Sequence, residues 1–169
     1  MQQPPTSESG HTLTREQLLS EHCSSYTSQH PKHWCIVYTD GACAGNGNKN
    51  ATGGMGVWFG VNDPRNKSQR LTDTTNNRAE YGAILCALDI EPLANMLVIT
   101  DSKLACDTFT TWIHNWKRNG WKTSSGQPVK NEDLVRQIDQ KCESRAVVFL
   151  HTLRDACLGN KEADALSRR

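Results

Sequence analysis

Residues 34–41, WCIVYTDG, set an apolar, β-branched run directly before an acid and a glycine. A run of that length bounded by turn residues predicts a buried strand. Asp40-Gly41 is expected to end it, and AGNGNKNATGG (44–54) to follow as a flexible connection. GMGVWFGV (54–61) and KSQRLT (67–72) then supply two more strands of a hairpin series, with the turn at Asp63-Pro64.

Helical spacing begins after these three strands. From Asn76 to Ile90, Ala79, Ala83, Ile84, Ala87 and Leu88 fall on one stripe, Asn76 is a candidate cap, and Pro92 stops the helix. MLVIT (96–100) is a short, wholly apolar strand with Asp101 at its carboxyl end. A helix is expected over 103–116 and another over 131–142, the latter on Leu134, Val135 and Ile138. AVVFLH (146–151) reads as the last strand, the 152–158 segment as a loop, and 161–169 as a closing helix after Gly159-Asn160. Strands followed by helix–strand alternation predict an α/β fold: a mixed sheet, antiparallel first and then parallel through crossovers, flanked by helices.

A chain of 169 residues fits one domain. Residues 1–32 are rich in Gln, Ser, Thr, His and Pro, with a short helical hint at 13–21, and read as a disordered or weakly helical tail before a domain at 33–169. The tail carries three glutamates and one arginine, which disfavours mitochondrial import. No stretch nears the roughly 18 apolar residues of a membrane span. Seven dispersed cysteines without a Cys-x-x-Cys pair suit free thiols in a reducing intracellular compartment. Nineteen basic and 18 acidic residues nearly cancel, so any grip on a polyanion must be local.

Four acids stand at positions from which separate elements can supply one pocket: Asp40, Glu80, Asp101 and Asp164. Ligands of open α/β sheets bind beyond the carboxyl ends of the strands, where Asp40 and Asp101 emerge together if their strands are neighbours. Like charges at about 4 Å repel by about 4 kcal/mol at an effective dielectric near 20. Such a cluster calls for cations, and all-oxygen donors select Mg²⁺ or Mn²⁺ over zinc. Two ions about 4 Å apart would support hydrolysis of a phosphodiester. Singly, each acid also has a structural reading as turn residue, solvated helix charge or cap. Glu162 shares a helix with Asp164 but lies about 200° away around it, so only one can face the pocket, and spacing leaves the choice open.

YTDGAC (38–43), TNNRAE (75–80), ITDS (99–102) and GNKEADAL (159–166), in this order, resemble type 1 ribonuclease H, over roughly residues 34–169. WKRNGWKTSSGQPVKNEDL (116–134) is similar to the segment holding the basic protrusion of cellular members. The resemblance implies the ribonuclease H-like fold with a five-stranded mixed sheet. It also implies endonucleolytic cleavage of the RNA strand of RNA–DNA hybrids by two metal ions, leaving 3′-hydroxyl and 5′-phosphate ends. Asp40, Glu80, Asp101 and Asp164 become the catalytic, metal-binding acids, with Mg²⁺ as cofactor and Mn²⁺ as a substitute. A monomer is expected.

By the same similarity, Gly41, Cys43, Asn46, Thr75, Asn76, Asn77 and Asn131 contact the hybrid. Trp112, Lys117, Arg118, Trp121 and Lys122 join stacking surfaces to charges that follow the DNA backbone. Residues 103–130 hold five basic residues against one acidic, a local +4. Trp116 is expected to be core. Two positions depart from the family pattern. The 152–158 loop, TLRDACL, has Arg154 where a histidine is usual, and His151 lies earlier; Asp73 stands where an arginine is common. A loop histidine shuttles protons and helps product leave, so slowed turnover is expected. The alternative is a catalytically weak module of the same fold that binds hybrid or double-stranded nucleic acid.

Overall fold

Alternation along two neighbouring strands sets the layers. The computed structural model describes residues 14–23, 26, 34–46 and 48–169. β1 (Trp34–Ala44) is antiparallel to β2 (Thr52–Trp58), which is antiparallel to β3 (Lys67–Thr72). On its other side β1 runs parallel to β4 (Asn95–Thr100), and β4 parallel to β5 (Val147–His151), giving the order β3-β2-β1-β4-β5. Val37, Met96 and Val98 point into one core; Ile36, Tyr38, Leu97 and Ile99 point into a second on the opposite face. A strand buried on both faces reads as continuously apolar, which is why WCIVY and MLVI show no polar alternation.

The first core is roofed by α2 (Asn76–Ile90), α4 (Ile113–Asn119) and α5 (Glu132–Cys142). Ala79, Ala83, Ile84, Ala87 and Leu88 are fully buried, as their spacing predicts, the last three within that core. The cap of α2 is Thr75, whose hydroxyl accepts from the Arg78 amide, and not Asn76. The single helix expected over 103–116 is α3 (Lys103–Asp107), a π-helical turn (Thr108–Trp112) and α4 in succession. The Thr108 and Thr110 hydroxyls bond back to the Leu104 and Cys106 carbonyls, competing with the helical ladder where it loosens.

The second core is closed by α6 (Leu158–Ser167) and α1 (Arg15–His22). Within the expected tail, α1 falls on the helical hint at 13–21. Thr14 and Gln17 form a reciprocal capping box, and Leu18, Leu19 and Cys23 are buried against Trp34, Ile36 and Leu97. Burying each leucine contributes roughly 1.5–3 kcal/mol, which holds a helix too short to persist alone. The rest of the 1–32 segment lies outside the described residues apart from Tyr26, which meets Trp34 edge-on. α6 begins three residues before the expected Lys161, because the buried Asn160 carboxamide accepts from Thr152 and Cys157 and needs no loop to satisfy it.

Candidate active site

Thr39 and Thr100 are partners in the parallel β1–β4 register, so the next residues, Asp40 in β1 and Asp101 just past the end of β4, stand side by side. β1 does not end at Asp40 as expected. It continues to Ala44 because β2 keeps pairing with it, while β4 stops at Thr100 and opens the edge beside Asp40. Asp101 precedes Ser102, the residue that caps α3, so the acid is free of capping duty.

Glu80 arrives from the first turns of α2, brought close by Gly41. A Cβ on Gly41 would stand 2.7 Å from the Ala79 carbonyl oxygen and nearer still to Ala79 C and Glu80 N. α6 reaches the site in the same way. Side chains at Gly54 and Gly56 of β2 would collide with the Ser167 and Ala163 carbonyls, so the helix lies directly on the strand and carries Asp164 to the rim.

Among the described residues, Asp40, Glu80 and Asp101 each offer a carboxylate oxygen within 4.8 Å of the others. Asp40 is also within hydrogen-bonding reach of Asp164. Burial, then the Asp101 charge and contact with Asp164, raises the Asp40 carboxyl to about 7. Burial and the charges of Asp40 and Asp101 hold Glu80 well above the carboxylate range. Burial raises Asp101 too, against the pull of Arg154. Asp164 behaves oppositely: burial pushes it up, but the contact with Asp40 and the guanidiniums of Arg168 and Arg154 bring it below its ordinary value. Glu162 lines a separate surface hollow with Trp58, Asn66 and Leu166, so α6 presents Asp164 to the acids.

The donor set fits a hard divalent cation. It is all oxygen, its charges oppose one another, and the buried Glu80 Oε2 has no hydrogen-bond partner among the described residues.

The polar residues expected to meet nucleic acid border this cluster. The Asn46 carboxamide accepts from the Asn76 amide at 2.8 Å, Cys43 Sγ lies 3.4 Å from the Thr74 carbonyl, and Asn77 is exposed on the first turn of α2. Asn131, in a left-handed conformation, accepts from Arg78, which also pairs with Asp133 at 2.9 Å. Asp73 also has positive φ.

The tryptophans divide differently from expectation. Of Trp112, Trp116 and Trp121, it is Trp121 that is most buried, at 9% exposure. It follows Gly120 with φ of 62° and lies in the first core, beneath the Arg136 guanidinium. Trp116 is half-buried between Trp121 and Trp112, and Trp112 is exposed at 39%. Lys117 pairs with Asp139 at 2.7 Å, Arg118 bonds the His114 carbonyl and Asn115, and Lys122 is exposed. His151 is exposed at the end of β5, opposite Thr100; Arg154 stands 3.8 Å from Asp164. Arg168, 2.9 Å from Asp164, escaped the sequence reading although its i,i+4 spacing is legible.

The RNase H family model matches residues 32–169. The chain belongs to the RNase H family. Ribonuclease H of Schizosaccharomyces pombe is 41% identical over 137 residues, covering 79% of this chain and 52% of its own length. Ribonuclease H1 of Rattus norvegicus is 33% identical over 175 residues, covering 99% of this chain and 60% of its own length. The chain thus spans roughly half to three-fifths of these two relatives. A solved RNase H structure, LC9-RNase H1, described as a type 1 RNase H with the type 2 active-site motif, superposes with a TM-score of 0.63 at 28% identity, over 79% of this chain and 70% of that one.

Proposed function

We propose that this chain cleaves the RNA strand of RNA–DNA hybrids endonucleolytically, using divalent cations, Mg²⁺ with Mn²⁺ as substitute, held by Asp40, Glu80, Asp101 and Asp164. The observation that carries the reading is the meeting of three carboxylates from β1, α2 and the end of β4 within 4.8 Å. At that separation each charged pair repels by about 3–4 kcal/mol at an effective dielectric near 20. A protein that only bound a polyanion would gain nothing from such a cluster, which speaks against the alternative of a weak binding module.

Bound there, divalent cations supply Lewis acidity and charge neutralisation for attack of water on a phosphodiester, leaving 3′-hydroxyl and 5′-phosphate ends. The protein's own groups do the positioning. Asp40 sits at the centre of the acids, Glu80 is fixed by the close passage of α2 over Gly41, and Asp101 by the β1–β4 register. Gly41, Cys43 and Asn46, with Thr75, Asn76 and Asn77, line the side from which a ribose 2′-hydroxyl is read, since that group alone both donates and accepts there. Trp112, Lys117, Arg118 and Lys122 follow the DNA strand, with Trp121 supporting them from the core and Asn131 on the phosphate path. One chain suffices for all of these groups. The 152–158 loop carries Arg154, and an arginine cannot act as a base near neutral pH, so turnover is slower than a loop histidine would allow.

The test is incubation of the chain with labelled RNA–DNA hybrid and Mg²⁺ or Mn²⁺, beside single-stranded RNA, duplex RNA and duplex DNA. Cation-dependent scission of RNA in the hybrid alone is expected. Equal cutting of duplex RNA, or none of the hybrid with either ion, would refute the reading.

A further inference from the structure

One acid of the four is held differently from the rest. Asp164 Oδ1 receives Arg168 Nε at 2.9 Å from one turn along α6 and faces an Arg154 amino nitrogen at 3.8 Å from the 152–157 loop. Asp40, Glu80 and Asp101 have no salt bridge to a basic side chain among the described residues, and Asp164 stands outside the group whose oxygens gather within 4.8 Å. Both arginines reach Asp164 from the solvent side, being 53% and 63% exposed, while the acid itself is 25% exposed. The Asn160 bonds to Thr152 and Cys157 tie the Arg154 loop to the start of α6, so both cations belong to one anchored unit.

We propose that Arg168 and Arg154 serve as internal counter-cations on Asp164 which a second divalent ion must displace, so that cations load in two unequal steps. The inference rests on the metal-dependent reading of the site. Four carboxylates match two divalent ions in charge. With two guanidiniums already on Asp164, a first ion held by Asp40, Glu80 and Asp101 brings the cluster to neutrality. A second ion then meets no net attraction until an arginine swings away from Asp164 Oδ1. Arg168 and Arg154 are positioning residues in this scheme: they touch no substrate and act through the acid they hold.

Calorimetric titration of the full chain with Mn²⁺, without nucleic acid, tests this. The wild-type chain should show a tighter step and a weaker one. R168Q should move the weaker step to roughly three- to fivefold lower Mn²⁺, and R154Q combined with R168Q somewhat further, as release of half-exposed ion pairs allows, with the tighter step shifted less than about twofold. R168K, which keeps the charge, should titrate like wild type, and in D164N the effect of R168Q should vanish. A weaker step that is unchanged or weakened in R168Q overturns the clamp. If D101N still abolishes the tighter step, the metal site itself survives that failure. A wild-type chain that binds no Mn²⁺ overturns both the clamp and the proposed function.

Discussion

Gly41→Ala tests whether the acids are gathered by backbone contact. The added methyl would lie 2.7 Å from the Ala79 carbonyl oxygen and closer to Ala79 C and Glu80 N, where ordinary contacts need about 3.5 Å or more. The obstacles are backbone atoms of a helix packed on the first core, so the start of α2 must retreat by roughly 1 Å. Overpacking of this kind costs about 1–3 kcal/mol, and a catalytic group displaced by 1 Å can lose about 10²-fold in rate. For a domain of this size the stability loss lowers Tm by roughly 2–12 °C. The expected result is therefore asymmetric: a folded protein with modestly lower Tm, weakened cation binding and hybrid cleavage reduced about a hundredfold. Thermal melts with and without Mn²⁺, followed by single-turnover cleavage, read all three. Cleavage within threefold of wild type would refute the close-passage argument, because Glu80 would then tolerate a displaced helix.

Asp101→Asn should reduce hybrid cleavage by at least about 10²-fold while binding persists, and should raise the melting temperature without metal, since it removes a charge that repels Asp40 and Glu80; a fall in metal-free Tm would contradict this. Asp40, Glu80 and Asp101 all bind protons more tightly folded than unfolded. Stability without metal is therefore greatest below about pH 4 as far as these groups are concerned, and their contribution is lost as pH rises from there through about 7, where Asp40 titrates, and on to about 10, where Glu80 does. Saturating Mg²⁺ should flatten that decline in a pH series of melts, and an identical slope with and without the ion would count against the site. Trp121→Ala should cost about 3–5 kcal/mol in denaturant unfolding, whereas Trp112→Ala should leave stability within about 1 kcal/mol and weaken hybrid binding by about 1–3 kcal/mol. Equal effects of the two on stability would dissolve the division between core and surface tryptophan.

The strands and the α2 stripe were legible because burial on both faces leaves a continuous apolar run and burial on one face a periodic stripe; Asp40 and Asp101 were legible because they end such runs, whereas Asp164 was told from Glu162 only by the family resemblance. What escaped depends on partners distant in sequence. α1 has two adjacent buried leucines and no stripe, so only the apolar second-core face of β1 and β4 reveals why it docks. The extension of β1 past Asp40 follows from its pairing with β2, through Gly41 and Ala42, which carry little strand signal of their own. Thr75 and Asn76 are both good caps, and propensity cannot rank neighbours. Trp116 and Trp121 exchange roles because the left-handed step at Gly120 and Trp121 turns the second ring inward, a backbone event that side-chain spacing does not report.

Gathering mutually repelling acids requires elements that cannot yield to the repulsion. Each acid here is mounted on such an element. Asp40 and Asp101 follow paired residues of adjacent, doubly buried strands, and separating them would break the β1–β4 ladder. Glu80 could retreat only by lifting Ile84 and Leu88 from the first core, and Asp164 only by lifting Ala163 and Leu166 from the second. Absent side chains at Gly41, Gly54 and Gly56 let both helices lie against the sheet backbone, so the two apolar cores press the acids together from opposite faces. The repulsion, about 3–4 kcal/mol per charged pair, is thus carried by burial elsewhere, and protonation or a divalent ion is what relieves it.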